Sequence, residues 1–253
     1  MTRRATAPPQ EDLPLISDRF LLCLTLAAIL LILVTLAISI GGRWLGQRMA
    51  LGGHSESGAA LAITIGEDTL HIPENTIRFA EQRRSGPAER IDLYLTWPGL
   101  MGYSQEYRDS FDNAGRPDLL LFLQISQSTM SKDMSGRLEP IYSQLFDGPA
   151  ESFGDGLTLH HLKNTSGYGS EVLLTADRPG QPPFAVRCLL PAAEERATSG
   201  DCQRDIHVGR DLSVLYRFSS SLLKDWDHID AAVASFVGAR IDATGSNPAP
   251  KGN

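Results

Sequence analysis

The sequence predicts an α+β protein in which one N-terminal transmembrane helix is followed by a mostly antiparallel sheet packed with two amphipathic helices. Three observations carry this expectation. Residues 20–40, FLLCLTLAAILLILVTLAISI, are twenty-one consecutive positions without a charge. At about 1.5 Å per residue such a helix crosses roughly 30 Å of hydrocarbon. Between Leu61 and Phe218, short runs alternate apolar and polar residues between Gly, Pro, Asn and Asp signals, which is the pattern of half-buried strands. Two further stretches space their apolar residues by three and four, as a helix lying on a sheet requires.

Residues 1–19, MTRRATAPPQEDLPLISDR, hold three prolines, mixed charge and no hydrophobic period, and are expected to form a disordered cytoplasmic tail. The span is assigned to residues 20–42. A cleaved signal peptide also begins with arginines and an apolar run, but its run is about 7 to 15 residues long and ends at a small-residue site. Here the run is longer and continues into Gly41, Gly42, Arg43 and Trp44, so an uncleaved anchor is expected. Trp44, Arg43 and Arg48 suit the headgroup layer. Arg3, Arg4 and Arg19 precede the span, and the positive-inside rule leans toward a cytoplasmic N-terminus.

Residues 43–60, which include LGGHSESG, are expected to be a tether, and the folded domain to run over 61–241. Ile91, Leu93, Leu95 and Trp97 alternate in a strand ended by Pro98. LLLFLQI, residues 119–125, is apolar almost throughout and reads as a central strand covered on both faces. Leu138, Ile141, Tyr142, Leu145 and Phe146 fall on one helical stripe, with Pro140 placed in or near the first turn. LTLHHL, SEVLLTA, PFAVRCLL, CQRDIHVG and DLSVLYRF then predict an antiparallel meander. A closing helix over about 221–241 carries Leu222, Trp226, Ile229, Val233, Phe236 and Val237. Residues 242–253 are expected to be a disordered tail.

The three acids and three arginines of residues 1–42 cancel, so the whole formal charge of −7 belongs to the remainder. Nucleic acid, whose phosphates need Lys and Arg, is therefore excluded as a partner. Cys188 and Cys202, with thirteen residues between them, each sit in or at the start of a strand-like run and are expected to form a disulfide across the base of a hairpin. Such a bond implies an oxidising compartment and so a periplasmic domain. Cys23 lies inside the apolar run.

No catalytic, cofactor-binding or metal-binding residue is assigned. His160 and His161 are adjacent in a strand and must point to opposite faces, so they cannot readily share one ion. Asp109, Asp112, Asn113 and Asp118 do not have calcium-loop spacing. HExxH, G-x-S-x-G, G-x-G-x-x-G and the phosphate-binding loop are all absent from the sequence. The expected partner contact is the loop carrying Trp97, Met101, Tyr103 and Tyr107, because aromatic residues on loops are enriched at interfaces. Ala37 and Gly41 form a small-x-x-x-small pair that could bring two copies together.

An arginine-containing tail, one span, a strand ending LTWPGL, the segment RLEPIYSQLF, the two cysteines and the final LYRFSSSLLKDWDHI together resemble single-pass, membrane-anchored bacterial proteins. The resemblance extends over most of the chain and implies an inner-membrane anchor with a periplasmic domain. It brings no activity, ligand or catalytic residue with it. The function expected is protein interaction or scaffolding with another membrane or envelope protein. The alternative is an envelope hydrolase with a site near His160 and His161 and the Asp-rich loop.

Overall fold

The computed structural model describes residues 18–50, 53–192 and 194–242, with the backbone alone described over 41–50. The chain divides into two compact units, 1–52 and 53–253. Most of the expected N-terminal tail, the anchoring side chains of Arg43, Trp44 and Arg48, and the C-terminal tail beyond 242 lie outside the described residues.

The first unit is helix α1, Asp18–Ala50. Its segment Arg19–Ile40 has a mean hydropathy of 3.0 and none of it is buried by protein. Two of the three hydroxyls in the run, those of Thr25 and Thr35, return to their own backbone. Thr25 donates to the carbonyls of Leu21 and Leu22, and Thr35 to that of Leu31.

The second unit holds two sheets. The small one comprises β1 (Ala60–Ile65), β2 (Asp68–Pro73) and β3 (Gly86–Pro87) in the order β2-β1-β3. The large one contains β4 (Arg90–Thr96), β5 (Leu120–Gln127), β6 (Phe146–Gly154), β7 (Leu157–Leu162), β8 (Val172–Ala176), β9 (Phe184–Cys188), β10 (Cys202–Val208) and β11 (Leu212–Phe218). Its order is β4-β5-β11-β10-β9-β8-β7-β6, antiparallel throughout. A short helix α2 (Arg108–Asp112) lies between β4 and β5, and α3 (Trp226–Gly238) follows β11. The α+β class and the predicted meander are both present.

One face of the large sheet is filled. Leu93, Leu123, Val214 and Val186 point into a core shared with Ile63, Ile65, Leu70 and Ile72 of the small sheet and with Ile229, Val233 and Val237 of α3. Burying each such side chain stabilises the fold by about 1.5–3 kcal/mol. Ser219 caps the turn entering the final helical segment, its hydroxyl accepting from Ser221 N–H. Cys188 and Cys202 are cross-strand neighbours on this face, buried and bonded at 2.07 Å.

Three expectations change. The stripe around Leu138 and Tyr142 is core but not α-helix. Residues 133–145 form irregular turns ending in a 3-10 turn, Tyr142–Leu145, and Phe146 opens β6. Pro140 has no N–H and would clash with the preceding turn of a helix. Met134, Tyr142, Leu138 and Leu145 still pack against Leu162, Leu173 and Ala185, covering the second face of the sheet over β7–β9. The second face of β5 is only partly covered: Phe122 and Gln124 are half-buried, with the Arg78 side chain over the Phe122 ring, whereas Leu121, Leu123 and Ile125 lie in the core.

The expected tether over 43–60 ends early, since residues 54–59 are bound to the domain. Asn75 N–H donates to Ser57 O, Glu74 N–H to Ala59 O, and the Ser55 hydroxyl to Glu74 Oε1. Ser55 and Ser57 of this stretch serve hydrogen bonding rather than slack.

Candidate functional site

Where the second face of β4, β5 and β11 is partly open, beside the buried Tyr94, five elements that are distant in sequence meet in a cleft of about 250 Å³. β5 supplies Phe122 and Gln124, and β11 supplies Leu215 and Arg217. β4 supplies Asp92, the segment after β2 supplies Arg78, and Ser199 and Gly200 come from the β9–β10 loop. Phe122 pairs directly across the strands with Arg217. Arg78 is fixed by its backbone, its N–H donating to Asp92 O at 2.8 Å. Its guanidinium lies between two rings, 5.1 Å from Phe79 and 5.0 Å from Phe122.

The electrostatics are one-sided. Asp92 is already engaged, accepting from Gln82 Nε2 at 2.8 Å and pairing with Arg90 Nε at 3.2 Å. Asp205, further along the same face, is held by Arg137. Among the described residues, neither Arg78 nor Arg217 has a carboxylate partner, and both are exposed.

The aromatic loop chosen from sequence is largely turned inward. Trp97 is buried edge-on to His228, at 5.0 Å, and Tyr103 has no exposed surface. Tyr107 is half-buried, and Met101 alone of the four is open, at 49 %. Gly102 explains the turn, since a Cβ there would meet Asn75 at 2.6 Å from its side chain and 2.9 Å from its backbone. Tyr103 N–H then donates to Asn75 O, and Asn75 Nδ2 donates to Tyr103 O.

Tyr103 helps form an aromatic nest around His54. The His54 ring stacks on Tyr103 at 4.3 Å, and Tyr94 and Phe111 close the sides. The Tyr94 hydroxyl lies 2.8 Å from His54 Nδ1, and Asp112 Oδ1 lies 3.5 Å from Nε2. A neutral ring protonated on Nε2 satisfies both neighbours.

Burial holds His54 below its ordinary value of 6.5, outweighing the opposing pull of Asp112. With the folded pKa depressed, the stability this histidine contributes is present above pH 6.5 and is lost as pH falls through the folded value. Urea midpoints measured at pH 7.5 and 5.5 are therefore expected to fall less for His54→Asn than for the natural chain. Tyr94→Phe is expected to cost about 1 kcal/mol at pH 7.5.

His160 and His161 are separated as the strand period requires. His160 stacks on Phe146 at 4.1 Å and contacts Thr175 Oγ1 at 3.0 Å, and burial lowers its pKa. His161 is exposed, 3.5 Å from Glu151. Four strands stand between β7 and β5, so the Asp-rich stretch between β4 and β5 does not reach them. Asp112 and Asp118 are paired with Arg108 and Arg116. Among the described residues, no three His, Cys, Asp or Glu side chains are grouped to hold a metal.

A buried ionic cluster went unread in the sequence. Arg204 on β10, 2 % exposed, donates from Nε to Asp230 Oδ1 of α3 at 2.8 Å and from its terminal nitrogen to Ser135 Oγ and Ala185 O. Asp230 also accepts from the Tyr216 hydroxyl and from Arg178, each at 2.7 Å. Burial alone would raise the Asp230 pKa. The charge of Arg204 and the donors around it prevail and hold it low. The signal was present, since Arg204 sits at an inward register between Cys202 and Ile206, and Asp230 lies beside Ile229.

No family model matches the chain, and no curated protein matches it. Two solved structures are similar over most of their length. An immunity protein of the Stenotrophomonas maltophilia type IV secretion system is 16 % identical with a TM-score of 0.48, covering 75 % of this chain and 96 % of its own. The iron-regulated outer membrane lipoprotein FrpD of Neisseria meningitidis is 11 % identical with a TM-score of 0.45, covering 74 % and 96 %. Likenesses this distant bring no partner, ligand or residue role to this chain.

Proposed function

We propose that the chain is a bitopic inner-membrane protein, N-terminus cytoplasmic, whose periplasmic domain binds another membrane or envelope protein through the open face of its large sheet. The observation that carries this reading is the partly open face of β4, β5 and β11, where half-buried Phe122 and Leu215 lie beside two exposed guanidiniums that have no carboxylate partner among the described residues. Aromatic residues and arginines are the side chains most enriched at protein interfaces. The 22-residue apolar segment and the Cys188–Cys202 disulfide are compatible with a membrane or periplasmic location. His160 and His161 give a hydrolase no support, because they lie on opposite faces of β7 and contact only Thr175 and Phe146, and Glu151, respectively.

The test is photo-crosslinking in intact cells from a benzoylphenylalanine placed at Ser126, on the open face, or at Glu67, an exposed position in the β1–β2 turn. A discrete heterologous adduct from position 126 and none from 67 is expected. Adducts only with a second copy of the chain would replace the partner by a homodimer. Equal adducts from both positions, or none, would contradict the reading.

A further inference from the structure

We propose that the cleft at Arg78, Phe122 and Arg217 takes the carboxylate of an Asp or Glu side chain on an extended acidic segment of the partner protein. The inference rests on the open-face reading above and names the chemistry of its ligand. The guanidinium of Arg78 is flanked by Phe79 and Phe122. A guanidinium held near aromatic rings can still present its fork of N–H groups to a carboxylate. Arg217, opposite Phe122 in the strand register, brings a second cation to the same floor.

The local acids cannot neutralise the pair. Asp92 is engaged by Gln82 and Arg90, and Asp205 by Arg137. The cleft is thus short of negative charge in a chain whose formal net charge is −7. Its other walls are Phe122, Leu215, the amide of Gln124 and the Ser199 hydroxyl. Apolar surface beside hydrogen-bonding groups suits a carboxylate carried on a hydrocarbon stem and a peptide backbone better than a bare inorganic anion. At about 250 Å³ the space holds a side chain or two. Ligands of drug size fill about 300–1,000 Å³.

The experiment uses the full chain in detergent micelles and the fluorescence anisotropy of three probes: a labelled peptide alternating Glu and Ala, the same peptide with Gln for Glu, and inorganic phosphate as competitor. The Glu peptide is expected to bind, the Gln peptide to bind at least about tenfold more weakly, and Arg78→Gln or Arg217→Gln to cost at least about tenfold. Binding should weaken as salt rises from 50 to 300 mM, because both arginines are exposed and screened. Both positions being exposed, unchanged thermal unfolding should accompany the loss.

Equal binding of the Glu and Gln peptides would overturn the proposal. Displacement by phosphate at concentrations matching the peptide would also overturn it, making the cleft a free-anion site. If crosslinks from position 126 persist while the Glu peptide fails to bind, the carboxylate inference falls and the open-face interface stands. If the Glu peptide binds while position 126 gives no adduct in cells, the interface falls and with it the partner named here.

Discussion

Asp230→Ala is expected to destabilise the domain by about 3–5 kcal/mol, as removal of one member of a buried ion pair does. The substitution leaves Arg204, almost without solvent, and Arg178 facing each other with no carboxylate between them, and it strands the Tyr216 hydroxyl. Since domains are stable by only about 5–15 kcal/mol, much of the chain would unfold at moderate urea. Arg204→Met combined with Asp230→Leu should cost less than Asp230→Ala alone, because the most deeply buried charge pair is gone and Arg178 keeps Asp227 at 3.7 Å. Equilibrium urea unfolding compares the variants, and an Asp230→Ala cost below about 1 kcal/mol would refute the clamp.

The pH dependence follows from the same carboxylate. The folded pKa of Asp230 lies below its ordinary value of 3.8, so its contribution is complete above that value and disappears as pH falls through the folded one. Acid unfolding of the natural chain should therefore be steeper below about pH 4 than that of the Arg204→Met, Asp230→Leu pair.

Reducing the Cys188–Cys202 bond, or replacing both residues by Ser, is expected to cost about 3 kcal/mol. The bond closes a loop between positions 14 apart in sequence and joins β9 to β10 at the base of the hairpin whose loop carries Ser199 and Gly200. Opening it loosens the rim of the cleft as well as the sheet. Urea midpoints with and without reductant should separate accordingly, and coincident curves would contradict the expectation.

Much of this architecture was legible from one sequence because its causes are local. The uncharged run needs no context to form one long apolar helix, and the alternation in DLSVLYRF or SEVLLTA sets a strand and its inward face. The spacing of the cysteines placed them across a hairpin. The segment at 133–145 was misread because its spacing is helical while Pro140 forbids the backbone hydrogen bond, and tertiary packing on Leu173 and Ala185 decided the outcome. LLLFLQI was read as doubly covered because an apolar residue such as Phe122 looks the same whether it meets core or solvent.

The candidate site was not legible, since Arg78, Phe122, Ser199 and Arg217 are brought together only by the strand order β4-β5-β11-β10. The aromatic loop was chosen on composition, yet Gly102 turns Tyr103 into the nest around His54. Nothing in the sequence around Arg78 distinguishes it from any solvated arginine.

The most direct test of a membrane-anchored periplasmic domain is thiol labelling in intact cells, in a Cys23→Ala background, with a reagent that cannot cross the inner membrane. A cysteine placed at exposed Glu67 should be labelled without lysis, whereas the buried Cys188 and Cys202 should react only after reduction and unfolding. A thiol at position 67 that reacts only once the cells are broken open would place the domain in the cytoplasm and contradict the account.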